Sequence, residues 1–383
     1  QSLTSEGPPY RFDLLSYRGM FDPVVLPPML DWIQSRASAV TEVHIPNCLI
    51  PPSVMIPLAE EGFSILENLE ALYLTGNDLG RTDTFRAFLR VIENKPRLRK
   101  LLLYGVNLSD PQVEQLAEHL TIHIKMPLFL AIGDVGDQGL TALASLVREK
   151  VLTTFACDYV PYYRGKPVAI EPLGEALATG PLLEQLILID SYVDAPACEI
   201  LCRGLAETSA LMSLDLSSNK FGDDGAVALA RALFKHRRLT ALTIEDTGIG
   251  DRGVEHMAEL LLRNKVLKRL EMRNNNFSTK GLGAVVDAVT KNQVVERIYF
   301  YPVEGPRETV QSMDAKINFF MKCNQVKFWD LVKDNRRVLP WYKILHGLLN
   351  HNGQLGYMES TLDMALFLLQ NRPDIVDLGK RRR

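Results

Sequence analysis

Leu211, Leu239, Leu267 and Val295 stand 28 residues apart, and much the same pattern follows each of the first three. In the stretch LMSLDLSSNKFGDDGAVALARAL, which begins at Leu211, apolar residues occupy relative positions one, four, six and eleven (Leu211, Leu214, Leu216, Phe221). Asn219 sits at position nine, Gly225 at fifteen, and Leu229 and Leu233 at nineteen and twenty-three. Upstream the frame restarts at Val40, Leu69, Leu98, Lys125, Leu152 and Leu183, at intervals of 27 to 31 residues. Lys125 lacks the first apolar residue, and the copy at 152–182 is the weakest, with the irregular stretch YVPYYRGKPVAIEP in its middle. A fixed period of this length marks a stack of similar units, none of which can bury its apolar side alone.

The spacing inside the frame tells what each unit is. Positions four and six share one face of a short strand, because side chains alternate with period two. Positions nineteen and twenty-three are four apart and share one face of a helix. Each unit is therefore a strand, a turn and a helix. Asn77, Asn219 and Asn275 at position nine suit a side-chain amide bonded to turn backbone. Gly139, Gly225, Gly253 and Gly281 leave room near the helix start, where a Cβ would crowd its neighbours.

These residues resemble the leucine-rich repeat of the ribonuclease-inhibitor subclass, whose signature LDLSSNKFGDDGAVALARAL closely follows. The resemblance covers residues 40–303, about ten repeats. It implies an α/β fold: a right-handed leucine-rich-repeat solenoid (a horseshoe) with a parallel concave sheet, outer helices and a helical C-terminal cap. It is specific for fold and nearly silent on function, because the same solenoid serves inhibitors, receptors, GTPase activators and scaffolds.

The flanks leave the period. Residues 1–39 carry Pro8, Pro9, Pro23, Pro27 and Pro28 with Tyr10, Phe12, Tyr17, Phe21 and Trp32, and read as an N-terminal arm with a short capping helix near 28–38. Residues 304–383 read as a helical C-terminal extension with helices at 313–333, 340–350 and 360–371, serving as a cap or a docking module. The 383 residues hold 43 Lys+Arg against 46 Asp+Glu, a net charge of −3, and 46% hydrophobic residues, which is globular composition. No apolar run is long enough to span a bilayer. Five scattered Cys exclude a disulfide framework and point to an intracellular chain. Because the chain opens on Gln1, its compartment is left between cytoplasmic and mitochondrial.

Chemical motifs are sparse. Gly248-Ile249-Gly250-Asp251-Arg252-Gly253 has the form of a dinucleotide fingerprint, but the repeat already accounts for Ile249 and Gly253, so it reads as periodic turn chemistry. His119 and His123 lie four apart without an acidic partner at a telling distance, and Cys198 and Cys202 fit a buried helix stripe. No nucleophile and base pattern emerges. The expectation is a non-enzyme without cofactor, metal or small-molecule substrate.

Function is sought on the sheet face that the helices leave uncovered. Strand positions three, five and seven point there, and adjacent strands lie about 4.8 Å apart, so the rows are continuous. The N-terminal half reads apolar and aromatic: Tyr73, Leu102, Tyr104, Phe129, Ile187 and Ile189. The C-terminal half reads charged, with Asp215, Glu245, Arg269, Glu271, Arg273 and Arg297 beside Tyr299 and Tyr301. Tyr and Arg are the types that anchor interfaces, so this face is expected to receive an extended segment or a helix of a protein partner. The competing reading has the arm or the irregular stretch fold over the strip. The expected role is a scaffold for protein–protein interaction, a subunit or assembly factor of a larger complex. Two alternatives stand beside it. One is a small-GTPase regulator, disfavoured because GTPase activators of this fold end in an acidic tail and this chain ends in KRRR. The other is a ribonucleoprotein or mitoribosome-associated subunit touching RNA through Lys380, Arg381, Arg382 and Arg383.

Overall fold

The computed structural model describes residues 10–13, 23–93, 95–158, 170–180, 182–207, 210–325 and 327. They form two compact units, one running to Val193 and including Ile200–Asp215, the other comprising Asp194–Glu199 and the chain from Leu216 onward.

In the first unit eight parallel strands pair in chain order. They are β1 (Tyr10–Asp13), β2 (Val40–His44), β3 (Ala71–Tyr73), β4 (Lys100–Leu103), β5 (Leu128–Gly133), β6 (Leu152–Asp158), β7 (Gln185–Ile189) and β8 (Ser213–Asp215). Between them run α1 (Leu26–Gln34), α2 (Pro52–Pro57) with a π-helical turn at Leu58–Phe63, α3 (Thr82–Glu93), α4 (Asp110–His123), α5 (Asp137–Arg148), α6 (Glu171–Thr179) and, from Ile200 on, α7 (Ala195–Glu207). The second unit continues the alternation with α8 (Gly222–Leu233), β9 (Ala241–Thr243), α9 (Asp251–Arg263), β10 (Arg269–Glu271), α10 (Thr279–Val289), β11 (Arg297–Tyr299) and α11 (Arg307–Gln325). Its strands are also parallel and sequential.

Strand positions four and six supply the interior. Leu186 pairs in register with Leu214 in the first unit. In the second, Leu242 pairs with Leu270 and Leu270 with Ile298. Leu214, Leu242 and Leu270 are wholly buried. Each such leucine removed from water contributes roughly 1.5–3 kcal/mol.

Polar ladders join successive turns. The Asn275 Oδ1 accepts from the N–H groups of Thr247 and Ile249, both at 3.0 Å, while its Nδ2 donates to the carbonyls of Ile244 at 2.8 Å and Met272 at 3.0 Å. Asn77 reaches the Ile45 carbonyl of the preceding unit in the same way. The amide thus stitches two repeats together as well as closing its own turn. A second ladder, not foreseen from the frame, runs through the helix-to-strand turns. Asn264 donates to Leu233 and His236 carbonyls at 2.9 and 3.1 Å and accepts from Val266 and Leu267 N–H groups at 2.8 Å. Asn292 repeats this pattern one unit on, and Asn324 at the end of α11 donates to the Val295 carbonyl at 2.7 Å.

Aspartates make the third ladder. Asp223 accepts from the N–H groups of Gly250 at 2.7 Å and Gly253 at 2.9 Å, so one repeat caps the helix start of the next. Asp251 does the same for Ser278 and Gly281. Partial burial works against the charged form of Asp251, but these bonds and the Ser278 hydroxyl hold its carboxyl below the usual aspartate range. The ladder also explains the recurring glycine. A Cβ on Gly253 would lie 2.5 Å from Ile249 Cγ2 and 2.7 Å from Asp223 Oδ1. The run from Gly248 to Gly253 is therefore turn packing.

Three expectations need adjustment. Residues 10–13 of the arm form a strand, β1, which pairs with β2 and puts Phe12 into the interior, 5.4 Å from the Trp32 ring and 6.3 Å from Phe63. Four residues with one inward apolar side chain are too short to show alternation in sequence. The helix expected from 313 begins at Arg307, directly after Pro306, and completes the unit that Val295 opens. The frame assigned to Lys125 slips by two residues, because β4 and β5 pair Lys100 with Phe129 and Leu102 with Ala131. An even slip leaves every side chain on its expected face. Residues beyond 327, with Trp329, Trp341 and the expected helices at 340–350 and 360–371, lie outside the described residues. So do Tyr17, Phe21 and the irregular stretch at 159–169, which leaves the covered-strip reading outside them as well.

Candidate functional site

On the first unit one row of the sheet face runs in register through Asp13, His44, Tyr73, Leu102 and Ala131. It continues through Ala156, Ile187 and Asp215. Tyr73, Leu102, Tyr104, Phe129, Ile187, Ile189 and Asp215 are all half-buried, as expected of side chains standing side by side on a pleated surface. His44 stacks on Tyr73 with ring centroids 3.7 Å apart, and its Nε2 lies 2.9 Å from Glu42. Burial lowers the His44 pKa, opposed by the Glu42 hydrogen bond.

The apolar strip has a cation on it that positions five and seven do not reveal. Lys100, at position three, holds its ammonium 5.2 Å from the Tyr73 ring centre and 5.0 Å from that of Phe129. The register explains this, since Phe129 stands beside Lys100 and not beside Leu102. Two aromatic faces sharing one cation fix the lysine stem across the strip.

On the second unit the face is charged and networked. Tyr299 is 42% exposed and Tyr301 47%. The guanidinium groups of Arg269 and Arg273 lie 5.9 and 5.8 Å from the Tyr299 ring centre. Both also pair with Glu271, and Arg273 reaches Glu245 at 3.1 Å. Glu271, expected among the contact residues, is only 3% exposed, because the two arginines cover its carboxylate. Its carboxylate holds the two arginines within the face. Arg297 is exposed and has no partner among the described residues.

A groove of about 350 Å³ lies between β11 and α11, lined by Arg297, Tyr299, Tyr301, Asp314 and Asn318 among others. Burial, reinforced by a hydrogen bond to Asp314, pushes the Tyr301 hydroxyl up to about 12. Burial also raises Asp314, opposed by hydrogen bonds from Tyr301 and Asn318. His119 faces His123 at 5.4 Å and Glu93 at 3.5 Å, and no group of three ligating side chains occurs among the described residues. All five cysteines are buried. No described helix is long and apolar enough to cross a membrane. Lys380, Arg381, Arg382 and Arg383 lie outside the described residues.

A family model described as "Leucine Rich repeat" matches residues 210–230 and 263–286, which hold the Leu214 and Leu270 strands of this geometry. Mouse ribonuclease inhibitor is 26% identical over 209 residues, 52% of this chain and 38% of that protein. The chain is built of leucine-rich repeats similar to those of ribonuclease inhibitor. The leucine-rich-repeat protein is also 25% identical over 199 residues to mouse NACHT, LRR and PYD domains-containing protein 5, covering 51% of this chain and 14% of that one. It thus spans well under half of either curated relative. Among solved structures, the leucine-rich repeat-containing protein LegL7 from Legionella pneumophila superposes with a TM-score of 0.49 at 16% identity, covering 80% of this chain and 97% of that one. The yeast Rad7 and Elc1 complex gives 0.44 at 13% identity, over 77% of this chain and 80% of that one.

Proposed function

We propose that this leucine-rich-repeat protein is a non-enzymatic scaffold, a subunit or assembly factor of a larger complex, which holds a protein partner against its sheet faces. The observation that carries this reading is the exposed Tyr299 flanked by Arg269 and Arg273, both anchored by a buried Glu271. Tyrosine and arginine are the types that carry most interface energy, and side chains already held in place lose less entropy on binding. Tyr73, Leu102, Tyr104, Phe129, Ile187 and Ile189 offer the second, apolar surface, on which truncated apolar area gives a partner something to bury.

The test is affinity purification from native cells with the partner quantified by mass spectrometry. Tyr104→Asp with Phe129→Asp, and separately Arg273→Ala with Tyr299→Ala, should each cut recovery of the principal partner at least tenfold while helical circular dichroism stays unchanged. Full recovery with both pairs refutes the face. A purified assay with candidate small GTPases distinguishes the regulator alternative: the scaffold leaves the hydrolysis rate unchanged, and an accelerated rate replaces this reading.

A further inference from the structure

The turns that lead from helix to strand in the second unit are stacked edge to edge. Asn264 bonds the His236 carbonyl, Asn292 the Leu261 carbonyl, and Gln325 the Glu296 carbonyl at 2.7 Å. Residues 235–241, 263–269 and 291–297, together with 322–325 at the end of α11 and Lys327, contain eleven Lys or Arg and a single acid, Glu296. The chain as a whole carries −3, so this edge departs from its average.

Helix dipoles account for little of it. Arg263 ends α9 and pairs with Glu259 at 2.5 Å, as a cation in a last turn should. Lys235, Arg237, Lys265, Lys291 and Arg297 lie beyond the helix ends, are exposed, and pair with no carboxylate among the described residues. Lys268 and Arg269 of the rim are paired, with Glu296 and Glu271, so the five cations above carry the excess. On the opposite edge of the same unit, by contrast, the basic side chains near the helix starts are matched by acids. Lys220 pairs with Asp246 at 2.5 Å, Lys280 with Glu255 at 2.9 Å, and Arg252 with Asp224. The equivalent turns of the first unit vary: 65–71 holds Glu67 and Glu70, 148–154 mixes Arg148, Glu149 and Lys150, and 94–100 holds Lys95, Arg97, Arg99 and Lys100 without an acid, so only the second unit repeats the basic turn from one repeat to the next.

We propose that this rim is a docking surface for the phosphate backbone of a nucleic-acid duplex. A protein partner is the weaker match, because lysine is depleted in protein interfaces and six of the eleven cations are lysines. Phosphates are the ligand that rows of unpaired lysine and arginine bind without further specification. These segments of the rim contain no Trp, Tyr or Phe, so they offer no platform on which unpaired bases would stack. That directs the contact to a duplex backbone, RNA or DNA, read by charge and shape. The rim shares Arg269 and Arg297 with the sheet face, but Lys235, Arg237, Lys265 and Lys291 lie outside that face, so the proposal does not depend on that reading.

The test uses the full chain and fluorescein-labelled RNA and DNA duplexes of about 20 base pairs, followed by anisotropy across a salt series, where each phosphate contact adds about 0.9 to the fall of log affinity per tenfold rise in salt. Lys235→Glu, Arg237→Glu, Lys265→Glu and Lys291→Glu together should weaken binding more than tenfold and reduce the salt slope by about 2 to 4. Arg148→Glu with Lys150→Glu should leave both unchanged. An alanine set at the same four rim positions keeps the test valid if the reversed charges impair folding. Preference for one duplex supports the proposal and names its source. The proposal is overturned by parental binding in the rim variants, by no saturable duplex binding in the parent, or by polyglutamate displacing the label as well as unlabelled duplex at equal charge.

Discussion

The Nδ1 of His236 accepts the backbone N–H of Leu239 at 3.0 Å. It also faces the Arg238 N–H at 3.3 Å, so the ring takes the place that Asn264 and Asn292 fill in the next two turns. Only an unprotonated Nδ1 can accept, and burial lowers the His236 pKa below 6.5. The unfolded chain therefore takes up a proton at a higher pH than the folded one. Stability should be fully present above about pH 6.5 and fall as pH drops below it. His236→Asn, matching its neighbours, should flatten this dependence in urea titrations at pH 5 to 7.5. An unchanged acid slope would show that the ring is not the responsible group.

Lys95 provides a dependence at the alkaline end. It is buried, its Nζ donates to the Ser64 carbonyl at 2.7 Å, and desolvation lowers its pKa from 10.5 to about 8, opposed by Glu67. Between those two values the unfolded chain binds more protons, so stability should rise as pH climbs from 8 to 10.5. Lys95→Met should remove that rise. A variant that keeps it assigns the slope elsewhere.

Removing the Asn275 side chain leaves buried carbonyls and N–H groups of two repeats without partners. Asn275→Ala should cost about 3 kcal/mol, given about 1–3 kcal/mol for each buried group left unpaired. The exposed neighbour Asn276→Ala should stay within about 0.5 kcal/mol. Denaturant midpoints compare the two.

Gly253→Ala tests the aspartate ladder. The added methyl meets Ile249 and Asp223 well inside van der Waals contact, so a loss of about 1–3 kcal/mol is expected, as for other overpacked sites. Gly283→Ala, whose Cβ meets nothing within 4 Å, should be neutral or stabilising.

The period was legible because each repeat must bury the same strand and helix positions against its neighbour, which forces Leu214, Leu242 and Leu270 to be apolar alike. Asn275 was legible for a related reason, since a buried turn amide tolerates few replacements. The helix-end ladder was not read, although Asn264 and Asn292 are themselves 28 apart. An asparagine after a helix looks like an ordinary turn residue until its bonds to the preceding repeat are seen. Alternation alone groups the face residues on one side of the strands, but it does not give their partners. Lys100 over Tyr73 and Phe129, and Glu271 beneath Arg269 and Arg273, depend on register between strands, and a slip of two residues is invisible to a pattern of period two.

A partner seated on the sheet face is the centre of the proposed function. Amine-reactive cross-linking with mass spectrometry on the native assembly reports this, because Lys100 lies on that face while Lys220 and Lys280 lie in ion pairs beside the helix starts. The account predicts partner cross-links concentrated at Lys100. Links confined to Lys220 and Lys280, with Lys100 reacting freely in the assembled complex, would contradict it.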